Sequence, residues 1–387
     1  MTTRMPPLVA MLTHSAACSG AELFIARVAA ARVRVDVVVV LGEHGPLEAV
    51  LDQLGVDHEV VALDDDVRTH TAGSGGGLVR KARSTLTTTR ALAGRLRALG
   101  VDVVHTHSAK AHLYGGLAGR LARIPVVAHV HDVVGGPGTS RRNAQVLRTA
   151  LAVLPTGAIA NSHTTARSLG RSRRRPAVIG CPVDVLSAPP AAPDRSPGSF
   201  TLGMIGRLTP WKGQDVVIRA FAAARSRGLG PDSELAVVGA AHFGADADFS
   251  NELRALVTDL DIEDAVVFRG HRSDVAAEIA ACDAVVHAST RPEPFGQVVT
   301  EAMALGRPVI ASAAGGPAEI ITDGHDGVLV APGDVDALAD AMLRLAADPG
   351  LRARLAVGGR RTVEQFATPV VVEQIESVLL RAARRTR

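Results

Sequence analysis

The sequence predicts an α/β protein built from two parallel-sheet halves joined by a linker. Three observations carry this reading. Short β-branched runs alternate with Ala-, Leu- and Arg-rich stretches of helical period along the first half, and the same alternation resumes in the second. Between them the composition shifts abruptly to Pro, Ala and Ser. At 387 residues the chain is also too long for one ordinary core, and suits two domains of roughly 180 residues each.

The first strand is expected at Leu8 to Leu12. After Arg4 this run could pass for a short signal peptide, but His14 and Ser15 interrupt it too early. Further strands are expected at Val35 to Leu41, Val101 to His105, Val126 to Val130 and Ala158 to Ala160. They are mostly continuous apolar runs, as expected of a parallel sheet with helices on both faces. This gives a Rossmann-like first domain over 1–181. A linker is expected over 182–198, where Pro189, Pro190, Pro193 and Pro197 crowd together. The second Rossmann-like domain, 199–368, has expected strands at Leu202 to Ile205, Leu235 to Val238, Val266 to Phe268, Ala284 to His287, Val309 to Ala311 and Val328 to Val330. A helical stretch at Ala337 to Leu345 follows. The final segment, 369–387, carries Val371, Val372, Ile375, Val378 and Leu379 on one helical face and is expected to return to the first domain. Two such domains facing each other would enclose a central cleft.

Composition narrows the function. Eight Phe, one Trp and one Tyr disfavour aromatic-stacking nucleic-acid modules, and a net charge of +3 implies no polyanion partner, so nucleic acid is set aside. Cys18, Cys181 and Cys282 are odd in number and lack metal-like spacing, which indicates a reducing, cytoplasmic setting. No stretch reaches the roughly 18 apolar residues of a membrane span, although contact with a membrane surface stays open. Lysine occurs only at positions 81, 110 and 212, so a lysine inside a motif carries extra information.

Two segments carry chemistry. Between Glu293 and Glu301 the chain reads Glu-Pro-Phe-Gly-Gln-Val-Val-Thr-Glu, a Pro-x-Gly break that opens into helical periodicity through Val298, Val299, Ala302, Met303 and Leu305. Glu293 therefore lies in a loop and Glu301 about a turn inside a helix, with free helix-end N–H groups between them. Two carboxylates beside an anion-attracting helix end make sense if each accepts hydrogen bonds from hydroxyls, as from a ligand with both phosphate and sugar diols. The other segment, Gly206-Arg207-Leu208-Thr209-Pro210-Trp211-Lys212-Gly213, follows a strand and precedes a helix near Gln214. Arg207 and Lys212 there suit a diphosphate, or else are two solvated charges flanking a turn.

With Gly206-Arg207-(x)4-Lys212 preceding Glu293-(x)7-Glu301, the sequence resembles the retaining glycosyltransferases of family 4. The resemblance covers most of the chain and is densest from Leu202 to Phe366, where Gly306-Arg307-Pro308-Val309-Ile310-Ala311, Gly315-Gly316-Pro317-Ala318-Glu319 and Asp323-Gly324-His325-Asp326-Gly327 also match. It implies a GT-B fold and a UDP-sugar donor held mainly by the second domain, with no required cofactor. On that mapping Arg207 and Lys212 hold the diphosphate, Glu293 meets donor-sugar hydroxyls, Phe295, Gly296 and Gln297 offer backbone groups, and Glu301 holds the ribose. Arg269, Gly270 and His271 match where family members embrace the base, or else form a polar turn. Gly20, in Ser19-Gly20-Ala21-Glu22, occupies the place of a glycine-rich loop whose first glycine is Ser19 here; Glu22 has either a site role or simply starts a helix. His131 matches a position near the reacting sugar.

His105, His107, His129 and His131 invite a metal reading, but without an accompanying ligand pattern no metal site is expected. Asp64-Asp65-Asp66 and Asp246-Ala247-Asp248 read as solvated turns. The basic runs of Arg167, Arg171, Arg173, Arg174 and Arg175, and of Arg80, Lys81, Arg83, Arg90, Arg95 and Arg97, read as solvated faces. Gly180-Cys181-Pro182-Val183-Asp184 departs from the family's usual Pro-Asn-Gly-Val-Asp. The expected reaction is retaining transfer of a hexosyl unit from UDP-glucose or UDP-N-acetylglucosamine to a small-molecule hydroxyl. General likeness to enzymes of aminoglycoside antibiotic pathways suggests 2-deoxystreptamine as that acceptor; an inositol phosphate or lipid is the alternative, and a sugar-nucleotide epimerase a remoter one.

Overall fold

The computed structural model describes residues 5–62, 78–136, 139–170, 175–191, 198–241 and 245–384, with the side chains of 78–83 and 245–247 left aside. The chain divides into two compact units, Met1–Pro182 with Thr368–Arg387, and Val183–Ala367.

In chain order the first unit contains β1 (Leu8–Thr13), α1 (Gly20–Ala30), β2 (Asp36–Leu41), α2 (Leu47–Gln53), β3 (His58–Val60), α3 (Leu78–Ala98), β4 (Val103–Thr106), α4 (Ala109–Ala122), β5 (Val126–Val130), α5 (Arg141–Val153), β6 (Gly157–Ala160), α6 (His163–Ser168) and β7 (Ala177–Val178). The second contains β8 (Thr201–Ile205), α7 (Gln214–Ser226), β9 (Glu234–Val238), α8 (Ala245–Asp259), β10 (Val266–Gly270), α9 (Val275–Ala280), β11 (Ala284–His287), α10 (Gln297–Ala304), β12 (Val309–Ser312), α11 (Gly316–Ile320), β13 (Val328–Val330), α12 (Val335–Ala347) and α13 (Pro349–Val363). The last helix, α14 (Thr368–Arg384), belongs to the first unit.

Every strand expected from periodicity is present. The sheet of the first unit runs β3-β2-β1-β4-β5-β6-β7 and that of the second β10-β9-β8-β11-β12-β13. All pairings are parallel. Two strands were not foreseen, β3 and β7, of three and two residues. Both are sheet edges. An edge strand this short leaves little unpaired backbone and is too brief to show alternation in sequence.

Parallel pairing forces each strand to return through a helix, and the helix starts are locally encoded. Ser108, Ser140, Ser162, Asp274, Asp334 and Asp348 each cap a helix by accepting a backbone N–H three residues on. In the second unit, Val217, Ile218 and Phe221 of α7 and Leu338, Met342 and Leu345 of α12 are almost wholly buried in one core with Leu202 and Met204 of β8 and Leu235 and Val237 of β9.

Helix α14 packs on β4, β5 and β6. Its apolar residues Val371, Val372, Ile375 and Leu379 are buried. Glu376 is buried with them, and its Oε1 accepts the backbone N–H groups of Val33 at 2.7 Å and Arg34 at 2.8 Å, while Oε2 accepts Arg34 Nε at 3.0 Å. One carboxylate thereby satisfies the chain leaving α1. Replacing Glu376 with Ala should destabilise the first unit by about 1–3 kcal/mol in urea unfolding followed by circular dichroism, with Glu376→Gln recovering part of the loss because its oxygen still accepts. A change within experimental error would show that the apolar face alone holds the helix.

Candidate functional site

In the second sheet the strand order reverses between β8 and β11, which lie side by side while their following connections depart in opposite directions. A crevice opens at such a reversal, beyond the carboxyl ends of the strands. Both chemistry-bearing segments start there. After β8 the chain makes a single 3₁₀ turn, Pro210–Lys212, ended by Gly213 at φ +75°. A Cβ on Gly213 would lie 2.2 Å from the carbonyl oxygen of Ala288, just past β11. Only glycine lets the two segments touch. The contact is stitched by Thr290, whose N–H donates to Trp211 O at 2.9 Å. Gln214, fully buried, donates from Nε2 to Arg207 O at 2.9 Å and fixes the loop from the other side.

This approach delivers Lys212 to Glu293. Lys212 Nζ donates to Glu293 Oε2 at 2.7 Å and lies 4.4 Å from the centroid of the Trp211 ring. Ser289 Oγ donates to the same carboxylate oxygen at 2.8 Å, and His287 Nε2 lies 3.4 Å from it. Glu293 is 9% exposed. Burial by itself would raise its pKa, but the His287 hydrogen bond and the charge of Lys212 together carry it from 4.5 down to about 2. Among the described residues every hydrogen bond to this carboxylate ends on Oε2, so Oε1 keeps its lone pairs for something else.

Past Glu293 the backbone crosses to the chain after β12. Glu293 pairs with Gly315, and Gly316 N donates to Glu293 O at 2.8 Å. A Cβ on Gly315 would stand 2.2 Å from that oxygen, which explains the glycine pair. Phe295 is buried, edge-on to Phe366 at 5.3 Å between ring centroids. Gly296, at φ +93°, turns the chain into α10, and Glu301 is the fifth residue of that helix and half-buried. The first-turn N–H groups of α10 therefore follow Glu293 directly.

The other sequence candidates fare differently. Arg207 is exposed and forms no ion pair among the described residues. Arg269 is engaged within its own sheet edge, donating to Glu278 Oε2 at 2.8 Å and Glu234 Oε1 at 2.9 Å. In this conformation its guanidinium is spent on two carboxylates, while His271 beside it is exposed. Gly20 and His131 lie in the first unit. Gly20 begins α1, where Ser19 Oγ donates to the buried Glu22 carboxylate and burial pushes that acid up. His131 is half-buried, its carbonyl accepting Asn161 Nδ2 at 2.8 Å. Asp246 to Asp248 fall in α8 rather than forming the expected turn. Asp64 to Asp66 and Arg171 to Arg174 lie outside the described residues. Among the described residues no helix is long and apolar enough to cross a membrane.

His287, Ser289 and Gln214 were missed from sequence. A signal existed for the first two: His287 ends a predicted strand and Ser289 lies two residues on, so period-two alternation points both the same way. Gln214 gave none, since its role is to hold a carbonyl seven residues upstream.

Two family models match consecutive parts of the chain: Glycosyltransferase Family 4 over residues 24–185 and Glycosyl transferases group 1 over residues 191–362. The chain belongs to the GT-B glycosyltransferase family. Its two Rossmann-like sheets are the two domains of that fold, and Anabaena HepE, solved in complex with UDP and glucose, superposes with a TM-score of 0.80 at 29% identity over 96% of this chain and 98% of that one. A D-inositol 3-phosphate glycosyltransferase of Stackebrandtia nassauensis is 39% identical over 43% of this chain. A GDP-mannose-dependent alpha-(1-6)-phosphatidylinositol monomannoside mannosyltransferase of Mycolicibacterium smegmatis is 36% identical over 40% of it. The chain spans 38% and 41% of the lengths of these two relatives.

Because Glu293 is more acidic folded than free, its ionised form stabilises the protein, fully above about pH 5 and progressively less as the pH falls toward 2. The difference in unfolding free energy between the parent and Glu293→Gln should therefore shrink between pH 6 and pH 3 in urea titrations. A pH-independent difference would mean that the carboxylate is not held ionised by its neighbours.

Proposed function

We propose that this GT-B family member transfers a hexosyl unit, with retention, from a nucleotide-diphosphate sugar to a hydroxyl of an inositol phosphate. The observation that carries the donor half is the Lys212–Glu293 pair at the strand reversal, set between an exposed arginine and a helix N-terminus. Arg207 and Lys212 supply positive charge for the departing diphosphate, and the first-turn amides of α10 add preorganised donors. Glu293, with Oε2 saturated, presents Oε1 to sugar hydroxyls, and Glu301 accepts from the ribose diol. Neither glutamate acts as a nucleophile, since both belong to one loop and helix and not to opposite sides of a sugar.

A uridine nucleotide is the preferred donor, in keeping with the UDP and glucose bound to HepE. The GDP-mannose named for the mycolicibacterial relative is the competing donor. For the acceptor, the relatives' names favour an inositol phosphate or phosphatidylinositol. None of these relatives supports 2-deoxystreptamine, so the inositol reading replaces it.

Release of nucleoside diphosphate tests the proposal, with UDP-glucose, UDP-N-acetylglucosamine and GDP-mannose each offered alone, with D-inositol 3-phosphate and with 2-deoxystreptamine. The expected result is UDP release that depends on the inositol phosphate. Release with 2-deoxystreptamine alone would restore the antibiotic reading, and no acceptor-dependent release would point to an epimerase or a binding protein.

Lys212→Ala should lower turnover about 10²–10³-fold. It also strips a buried carboxylate of its cation, so stability falls with it. Arg207→Ala separates the two effects: the side chain is exposed, and turnover should drop while the melting temperature holds. Unchanged turnover in both variants would sink the leaving-group assignment.

A further inference from the structure

One face of the first sheet carries four imidazoles. His105 and His107 stand two residues apart at the end of β4, and His129 and His131 two apart at the end of β5. The parallel register pairs His105 with Val127, which brings His107 level with His129, and strand alternation turns all four the same way. Ring centroids are 4.1 Å apart for His105 and His107, 5.4 Å for His105 and His129, and 5.5 Å for His107 and His129. Phe24 of α1 packs over the group, 4.8 Å from the His129 ring. His105 and His129 are 0% exposed and His107 2%.

Hydrogen-bond accounting sets this cluster apart. Among the described residues, both ring nitrogens of His105, both of His129 and Nε2 of His107 are buried without a partner. A buried polar group left unpaired costs about 1–3 kcal/mol, and native interiors hold few of them. Stacking of neutral rings beneath Phe24 would fill the space, but apolar side chains would do so without five orphaned nitrogens. One ligand nitrogen from each of His105, His107 and His129 lies within 4.8 Å of the other two.

We propose that His105, His107 and His129 form a site for a first-row transition-metal ion of the Zn²⁺ class. Three imidazoles favour zinc, copper or nickel over magnesium or calcium, which prefer oxygen. Tetrahedral zinc–nitrogen bonds of about 2.0–2.1 Å set ligand nitrogens about 3.3 Å apart, so these three, now within 4.8 Å of one another, would close by up to about 1.5 Å as the rings turn toward the ion. The remaining nitrogen of His107, Nδ1, lies 3.1 Å from His131 Nε2. With Nε2 on the metal, Nδ1 carries the proton and donates it to His131, an outer contact of the kind that orients metal ligands. Asn161 Oδ1, another buried acceptor without a partner, follows β6 on the next strand. The ion would tie β4 to β5, apart from any part in sugar transfer.

The test uses the full chain without an affinity tag, stripped by chelator and titrated with Zn²⁺, with Mg²⁺ as control, by calorimetry and thermal unfolding. One equivalent of Zn²⁺ should bind and raise the melting temperature, Mg²⁺ should do neither, and zinc-edge X-ray absorption should show an imidazole-dominated shell. His105→Asn and His129→Asn should each abolish that equivalent, and His131→Gln should weaken it about 10–100-fold at unchanged stoichiometry. Absence of stoichiometric binding by the parent chain overturns the proposal, as does binding undiminished in both asparagine variants. If those variants fail to fold, the absorption spectrum of the parent decides, a shell of sulfur or of oxygen alone counting against the site.

Discussion

A buried carboxylate that must stay ionised organises the second domain of this protein. Taking Glu293 out of water carries a desolvation penalty of several kcal/mol, which only a cation and further hydrogen bonds can offset. Lys212, Ser289 and His287 provide them, all on one oxygen. Those residues come from the loop after β8 and from the end of β11, so the carboxylate's requirement fixes both segments. In return, the carboxylate is held at the strand reversal with its second oxygen still open, as the proposed donor site requires.

The sheet makes that convergence available. An all-parallel sheet whose order reverses between β8 and β11 leaves their carboxyl ends uncovered by helices. Glycine then decides how closely the loops come together. Gly213 admits the Ala288 carbonyl, and Gly315 admits that of Glu293. Each stands where a side chain would push a charged group out of reach of its partner.

The first domain presents the opposite electrostatic case. His105, His107 and His129 are buried at least as deeply as Glu293, yet among the described residues five of their six ring nitrogens lack the partners that Glu293 has. A saturated carboxylate needs a ligand only for its free oxygen, whereas unsaturated imidazoles under an aromatic ring ask for a ligand of their own. The two halves thus share a sheet architecture while handling buried polar groups differently.

How much was legible in the sequence follows from the range of each interaction. Alternation of short apolar runs with helical periods determined the strands of both sheets, because burial on both faces of a parallel strand leaves its mark on consecutive residues. The Pro-Phe-Gly break determined that Glu293 lies in a loop and Glu301 in a helix. The edge strands β3 and β7 escaped because two or three residues cannot show a period. Tertiary structure alone decided that Lys212 and Glu293, 81 positions apart, share a hydrogen bond, that Arg269 is taken up by Glu234 and Glu278, and that His105, His107 and His129 converge. The physical reason is that spacing along the chain reports a residue's own element, whereas strand order and the closeness of loop approach set which elements meet.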